Sequence, residues 1–197
     1  TVVIGNPIGE VLAHHRGQID ASDVVERLGV TGGFVLATVH RAETTDHPEV
    51  LAEVLAALDD VGAELDLPVV LPVHPRTAAR MGHLPVPPDL GRFVTTEPLG
   101  LFDFVRLESR ARLVVTDSGT VQEEAALLGV ACVLARDVTE RPELLDCGAV
   151  LLGGRTRQGI VDAARTMVRH GPSGEVPHEY LRTDVALRAV ASILGPL

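Results

Sequence analysis

The sequence predicts an α/β fold in which helices cover both faces of a doubly wound parallel sheet of about six strands. Short apolar runs alternate with longer amphipathic runs, and the segments that join them are short. Hydrophobic residues make up 46% of the chain but aromatic residues only 3%, so the core must consist of Val, Leu, Ala and Ile. Such a core is typical of buried parallel strands packed between helices. Regular alternation of strands and helices favours parallel pairing.

The apolar and amphipathic runs give the expected order of elements. Strands are predicted at residues 34–39, 69–73, 92–95, 113–116, 131–135 and 149–152. Helices are predicted at residues 48–66, 77–81, 99–109, 121–128, 142–146 and 158–169. Pro48 suits the first turn of a helix, where its missing N–H costs nothing, and Gly129 suits a helix end.

The two ends of the chain are expected to flank the sheet. Residues 1–30 are predicted to form a lead-in loop and helix, and residues 31–170 the sheet domain. Residues 171–197 are predicted to be a linker and a C-terminal helix, because residues 171–177 are rich in Gly and Pro and residues 184–194 are amphipathic. The chain begins with Thr, not Met, so we expect a fragment or a processed product.

Composition disfavours several classes of function. The 197 residues carry a formal net charge of -10, and the 17 basic residues are all Arg and are scattered, which disfavours nucleic-acid binding. No apolar run approaches the roughly 20 residues of a membrane span, and no signal peptide is evident. Cys132 and Cys147 have no metal-ligand spacing, so we expect buried thiols in a reducing, cytoplasmic compartment.

Polar residues are predicted at the carboxyl ends of the strands, where doubly wound sheets bind their ligands. They are His40, His74, Thr96, Ser118 and Arg136.

The segment of residues 114–143 is the most informative. A strand ends at Thr116, a small polar turn follows, and a helix begins, so free N–H groups and a positive dipole end face the strand edge. An anion fits there, with Ser118 and Gly119 as its contacts, although Ser118 also suits a plain helix cap. Glu124, one turn further along, could accept hydrogen bonds from sugar hydroxyls. Arg141 and Arg136 could supply charge to a phosphate.

Three blocks of sequence together resemble one known family. Residues 116–124 with residues 136–143 resemble the nucleotide-binding signature of the non-hydrolysing UDP-N-acetylglucosamine 2-epimerases. The block Ala37-Thr-Val-His-Arg-Ala-Glu-Thr resembles their His-Arg-x-Glu-Asn block, and Leu71-Pro-Val-His-Pro resembles their strand-end Pro-x-His motif. The blocks occur in family order. The resemblance covers nearly the whole chain but only the C-terminal half of a typical member.

The resemblance implies a Rossmann-like domain that forms one half of a glycosyltransferase-B-like two-domain fold. It implies that Ser118 and Gly119 bind the phosphates of UDP, with Thr120 beside them. It implies that His40 contacts the phosphate and helps UDP to leave.

For the nucleoside, the resemblance implies that Glu124 holds the ribose hydroxyls, that Arg141 lies near the uridine end and that Phe104 packs near the uracil. Each residue also has an ordinary interpretation. Glu124 could be a solvated helix carboxylate, Arg141 could pair with Glu140 or Glu143, and Phe104 could belong to the core.

Other positions depart from the family pattern or have weaker links to it. The family has a second Gly at Thr120 and an Asn at Thr44. Arg41 and His74 match residues that line an activator site in some bacterial members. Glu123 is expected to be solvated. Arg136 and Asp137 are expected to shape the loop in which they lie.

The implied reaction interconverts UDP-N-acetylglucosamine and UDP-N-acetylmannosamine by eliminating UDP and adding it back. Its acid and base carboxylates belong to the N-terminal domain of the family, and no paired buried carboxylates that could replace them are evident here. We therefore expect the chain alone to bind UDP weakly and to be inactive. No metal or redox cofactor is implied. The intact protein is expected to be a homodimer that serves cell-wall or capsule polysaccharide synthesis.

Two alternatives remain open. One is a hydrolysing epimerase or a glycosyltransferase on the same scaffold, for which the changes at Thr120 and Thr44 leave room. The other is a stand-alone nucleotide-sugar sensor, which would bind UDP-sugars tightly by itself.

Overall fold

The computed structural model of the protein describes residues 1–84 and 89–195. Six parallel strands form one sheet in the order β3-β2-β1-β4-β5-β6. The strands are β1 (Val35–Thr38), β2 (Val69–Pro72), β3 (Phe93–Thr96), β4 (Leu113–Thr116), β5 (Cys132–Leu134) and β6 (Val150–Leu152).

The helices precede, connect and follow these strands. They are α1 (Ile8–His14), α2 (Arg16–Asp20), α3 (Val24–Arg27), α4 (Ala42–Thr45), α5 (Pro48–Leu65), α6 (Pro75–Met81), α7 (Leu101–Arg110), α8 (Gly119–Leu128), α9 (Pro142–Asp146), α10 (Arg157–His170) and α11 (Val185–Leu194).

Side chains alternate between the two faces of the sheet, as the pleat of a strand requires. In β4, Leu113 and Val115 pack in the cluster that also contains the buried faces of α5 and α10. Val114 points the other way, into the cluster formed with α3, α7 and α8. Both faces of the sheet are therefore covered, and its central strands β1 and β4 are apolar except for the threonine at the end of each.

The predicted fold class, a Rossmann-like doubly wound sheet, is confirmed. All six strands occur where they were predicted, with ends that differ by at most one residue. Pro48 stands in the first turn of α5, and Gly129 ends α8 in a left-handed conformation with φ of 68°. The first thirty residues hold three short helices where one was predicted.

Two further features bear on the predictions for the chain ends and for membranes. Helix α11 matches the predicted C-terminal helix, and residues 196 and 197 of the predicted final segment lie outside the described residues. Within residues 1–84 and 89–195, no helix is long and apolar enough to cross a membrane.

The strand order places a crevice between β1 and β4. The chain leaves β1 toward β2 and β3 on one side and then returns to begin β4 on the other side of β1. At this topological switch point, the loops that follow β1 and β4 separate in opposite directions and leave room for a ligand.

Candidate active site at the switch point

The carboxyl ends of β1 and β4 are joined by two buried threonines. Thr38 and Thr116 are partners in the strand register, and their hydroxyl oxygens are 2.6 Å apart. The hydroxyl of Thr116 also accepts a hydrogen bond of 2.9 Å from the N–H of Ser118. The turn that leads into α8 is thus attached to the end of its own strand.

The N-terminus of α8 lies at this crevice. Ser118 is the N-cap, and its hydroxyl accepts a hydrogen bond of 3.5 Å from the N–H of Val121. Gly119 is the first helical residue, and a Cβ there would lie 3.2 Å from Nη2 of Arg41. The guanidinium of Arg41 therefore lies close over the start of the helix. Thr120, the second residue of the helix, is exposed.

Asp117 connects the loop after β1 to the turn after β4, and sequence reasoning missed it. Its side chain is completely buried, and its carboxylate accepts hydrogen bonds from the N–H groups of His40, at 2.9 Å, and Arg41, at 2.8 Å. Burial raises the pKa of Asp117 above its usual value, and these N–H groups and the charges of both side chains offset only part of the rise. An Asp just before a helix resembles an ordinary cap in sequence, so only the fold reveals this role.

The structure brings His40, Arg41 and His74 together. The ring centroids of His40 and His74 are 5.8 Å apart. His74 caps α6, where its Nδ1 accepts a hydrogen bond of 3.2 Å from the N–H of Arg76. Arg41, predicted only for an activator site, thus lies beside both His40 and the N-terminus of α8.

Arg136 braces the loop after β5, consistent with its predicted loop-shaping role. Its buried guanidinium makes two hydrogen bonds of 2.8 Å to Glu140. Glu140 also lies 3.9 Å from Nη1 of Arg41, which links this loop to the α8 N-terminus. Asp137 accepts a hydrogen bond of 2.6 Å from Arg155.

The prediction that Glu123 is solvated was wrong. Its side chain is only 7% exposed and forms an ion pair with Nε of Arg141. Arg141 therefore pairs with Glu123 and not with the side chains of Glu140 or Glu143, although its Nη1 donates to the backbone oxygen of Glu140 at 3.1 Å. A carboxylate with so little exposure is costly unless it is paired, and the guanidinium of Arg141 supplies the opposite charge. The Arg141 side chain remains 42% exposed.

A pair of buried carboxylates, Glu108 and Glu124, lies behind the site. Burial, with a smaller effect of the Glu123 charge, raises the pKa of Glu124 from 4.5 to about 7. Burial and the charge of Glu124 raise the pKa of Glu108 well above 4.5. Within the described part of the chain, neither carboxylate oxygen of Glu108 has a hydrogen-bond partner. Since Glu108 has 0% exposure, it cannot touch a ligand in this structure.

The remaining features do not single out another site for the predicted chemistry. Phe104 is half-buried and packs against the core cluster that contains Val121. A cavity of about 750 Å³ lies between α1, α2, α7 and α8, but no residue of the strand-end site lines it.

In residues 1–84 and 89–195, no cluster of three or more His, Cys, Asp or Glu side chains could hold a metal ion. Cys132 and Cys147 are free thiols, the first buried and the second half-buried.

The fold and the switch-point geometry place this chain among the doubly wound α/β proteins that bind ligands at the carboxyl edge of the sheet. Comparison with known proteins makes the assignment specific. The sequence profile of the family described as UDP-N-acetylglucosamine 2-epimerase matches residues 1–194. The chain belongs to this family.

The individual relatives agree with this assignment. The UDP-2,3-diacetamido-2,3-dideoxy-D-glucuronate 2-epimerase of Pseudomonas aeruginosa is 44% identical over 134 residues, which are 68% of this chain and 37% of the relative. The UDP-N-acetylglucosamine 2-epimerase of Methanococcus maripaludis is 34% identical over 139 residues, or 69% of this chain and 38% of the relative. The chain thus spans well under half the length of these curated relatives.

A solved structure gives the same result for the fold. The UDP-GlcNAc 2-epimerase of Methanocaldococcus jannaschii, in complex with UDP-GlcNAc and UDP, superposes with a TM-score of 0.89 at 29% sequence identity. The match covers 98% of this chain and 54% of that chain. The predicted family and fold are therefore both confirmed.

Proposed function

We propose that this chain is the UDP-binding part of a non-hydrolysing UDP-N-acetylglucosamine 2-epimerase. The intact enzyme interconverts UDP-GlcNAc and UDP-ManNAc by eliminating UDP and adding it back. One observation carries the proposal, namely that the α8 N-terminus lies at the switch point with Arg41 beside it and His40 opposite. The ligands of the M. jannaschii complex support the choice of UDP.

The site would act by stabilising UDP as it departs. Breaking the bond from the sugar to the diphosphate puts negative charge on the leaving oxygen. The free N–H groups at the start of α8, the guanidinium of Arg41 and the ring of His40 can all face that charge. Each well-placed donor in such a site is worth about 3 kcal/mol of barrier. The same groups lower the barrier to re-addition, because the diphosphate oxygen also carries partial negative charge in the transition state in which it bonds to the sugar again.

The nucleoside would be held further along α8. We propose that ionised Glu124 accepts hydrogen bonds from the ribose hydroxyls and that Arg141, oriented by Glu123, lies at the uridine end. The exposed part of the Arg141 side chain leaves donors free for this contact. Phe104 would pack near the uracil.

The proton transfers at C2 of the sugar would use carboxylates from another part of the intact protein. Glu108 is fully buried, and Glu124 is only 5% exposed and already has a proposed role, so neither is suited to this step. We propose that residues 31–170 form the UDP-binding unit, with residues 1–30 as the connection to a catalytic domain and residues 171–197 as linker and C-terminal helix. We also propose a cytoplasmic homodimer for the intact protein.

A second sugar substrate deserves a test. The P. aeruginosa relative, at 44% identity, is an epimerase of UDP-2,3-diacetamido-2,3-dideoxy-D-glucuronate. That substrate shares the UDP group and the epimerised C2, so the site described here would serve it equally. Turnover of both UDP-sugars by the intact protein would decide which sugar it prefers.

The proposal is tested by calorimetric titration of the chain with UDP, using two alanine variants. In Gly119→Ala the new methyl group enters the proposed phosphate site, where only the flexible end of Arg41 must move. We expect a loss of UDP affinity of at least about tenfold, comparable to one charge-assisted hydrogen bond. Gly100→Ala is the matched control, because Gly100 precedes another helix and a Cβ there meets nothing within 4 Å.

Two results would contradict the proposal. Equal UDP affinity in both variants would exclude the α8 N-terminus, and absence of UDP binding by the unmodified chain would exclude the site altogether. A coupled assay for UDP-ManNAc formation tests whether this chain only binds UDP while the acid and base lie in another part of the intact protein. Turnover by the 197-residue chain alone would refute the claim that the acid and base lie elsewhere.

A further inference from the structure

The carboxylate of Asp117 lies at the centre of the contacts between the two loops of the switch point. The N–H of Asp117 donates to the backbone oxygen of Thr38 at 3.2 Å, which fixes the residue at the end of β4. Its carboxylate then accepts the N–H groups of His40 and Arg41. The backbone N–H groups of both proposed phosphate-binding residues of the β1 loop are therefore bound by one buried carboxylate.

The same carboxylate also faces the imidazole ring of His40. Nδ1 of His40 lies 3.4 Å from Oδ1 of Asp117, and the His40 side chain is 39% exposed. The ring thus has one nitrogen beside a buried anion and an open side that a ligand can reach. A carboxylate beside one ring nitrogen favours a proton on that nitrogen and so determines the role of the other.

We propose that Asp117 is a positioning residue for His40. It secures a proton on Nδ1 and holds the loop backbone, so that Nε2 is the atom presented to the diphosphate. When Nε2 also carries a proton and donates to the departing phosphate, the carboxylate balances the imidazolium charge. This inference rests on the proposed function for the role of Nε2, but the state of the ring exists without any ligand.

The test is the protonation pattern of the His40 ring. The chain is labelled with ¹⁵N-histidine, the His40 signals are assigned by their loss in His40→Gln, and the ring nitrogens are observed above the pH at which the ring is charged. We expect the Nδ1–H form in the unmodified chain. In Asp117→Asn, which keeps the size and removes the charge, we expect the population to shift toward the Nε2–H form.

Controls separate this role from a merely structural one. Loss of the hydrogen bonds to the loop would lower stability without selecting a tautomer. Asp46→Asn, a change at an exposed carboxylate that pairs with Arg80, should leave the His40 signals unchanged. A dominant Nε2–H form in the unmodified chain would overturn the proposal outright, even if Asp117→Asn fails to fold. An unchanged tautomer in folded Asp117→Asn would overturn it as well.

Titration with UDP connects the ring to the ligand. Both Asp117→Asn and His40→Gln should weaken UDP binding about tenfold, and the double variant should lose little more than either single variant, because one residue acts through the other. Additive losses would overturn the positioning role. Absence of UDP binding in the unmodified chain would refute the proposed function, whereas the tautomer measurement would still decide the role of Asp117.

Discussion

The buried carboxyl group of Glu124 offers a quantitative test of the electrostatics of the site. Its pKa is raised from 4.5 to about 7, first by burial and then by the charge of Glu123. The side chain is 5% exposed, so solvent does little to screen these effects. The perturbation is Glu124→Gln, which keeps the shape of the side chain and removes its ability to ionise.

The sign follows from where the proton binds. Between pH 4.5 and about 7 the folded state holds a proton on Glu124 that the unfolded state has released. This proton stabilises the fold at low pH, and the benefit is lost as the pH rises through 7. With a pKa of 4.5 in the unfolded state and about 7 in the folded state, Glu124 lowers the free energy of unfolding by about 2.5 kcal/mol between pH 5 and pH 8.

The assay is urea unfolding of the unmodified chain and of Glu124→Gln at both pH values. Most other titrating groups are common to the two proteins, so their contributions cancel in the difference. Glu108 is the exception: the charge of Glu124 raises its pKa, so its contribution adds to the difference in the same direction. As the pH rises from 5 to 8, we expect the free energy of unfolding of Glu124→Gln to increase by about 2–3 kcal/mol relative to that of the unmodified chain. Glu97→Gln, at an exposed position, serves as the control and should show no such gain. A pH-independent difference for Glu124→Gln would refute the reasoning.

Three further predictions concern nucleoside binding, a buried acid and the core. Uridine, which lacks a titrating phosphate, should bind about tenfold more tightly at pH 8 than at pH 6 in calorimetry. The reason is that Glu124, with a pKa of about 7, ionises over this interval, so Glu124→Gln should abolish the change in affinity. Glu108→Met should raise the free energy of unfolding by about 1–3 kcal/mol at pH 8, since it removes a buried acid that has no hydrogen-bond partner among the described residues. The gain should shrink at acidic pH, where Glu108 is neutral in the fold. Leu58→Ala, at a completely buried position of α5, should cost about 2–5 kcal/mol in denaturant unfolding; a loss below about 1 kcal/mol would contradict the core packing described here.

Much of the fold could be predicted because local pattern and tertiary structure agree. Apolar runs bounded by Gly, Pro and polar turns predicted all six strands, and the alternation of strands and helices with short connections predicted a doubly wound parallel sheet. Pro48 and Gly129 marked helix ends through backbone preferences that hold in any context. The first thirty residues were harder, because their three helices are short and depend on packing against α7 and α8.

The sequence predicted where the site lies in the fold, but not which of its side chains form hydrogen bonds and ion pairs with one another. His40, His74 and Ser118 were expected at one edge because parallel strands end together, and the structure places them there. The partners of Asp117 lie 76 and 77 residues away in sequence, and Arg141 is 18 residues from Glu123. Such contacts depend on which loops the sheet order brings together.

The burial of Glu108 was also invisible in the sequence. Helix α7 carries several charged residues, so Glu108 resembles a solvated position until the helix is packed on the sheet. Burial is the largest cause of the elevated pKa values of Glu108 and Glu124, and the charges of Glu124 and Glu123, respectively, add to it.

The measurement that tests the central claim most directly is mapping of UDP on the ¹⁵N-labelled chain by amide chemical shifts. The account predicts that UDP shifts the signals of Ser118, Gly119 and Arg41 strongly, whereas uridine leaves them little changed, because the diphosphate meets the α8 N-terminus. Shifts confined to the cavity between α1 and α7, lined by residues such as Leu12 and Arg106, would contradict it.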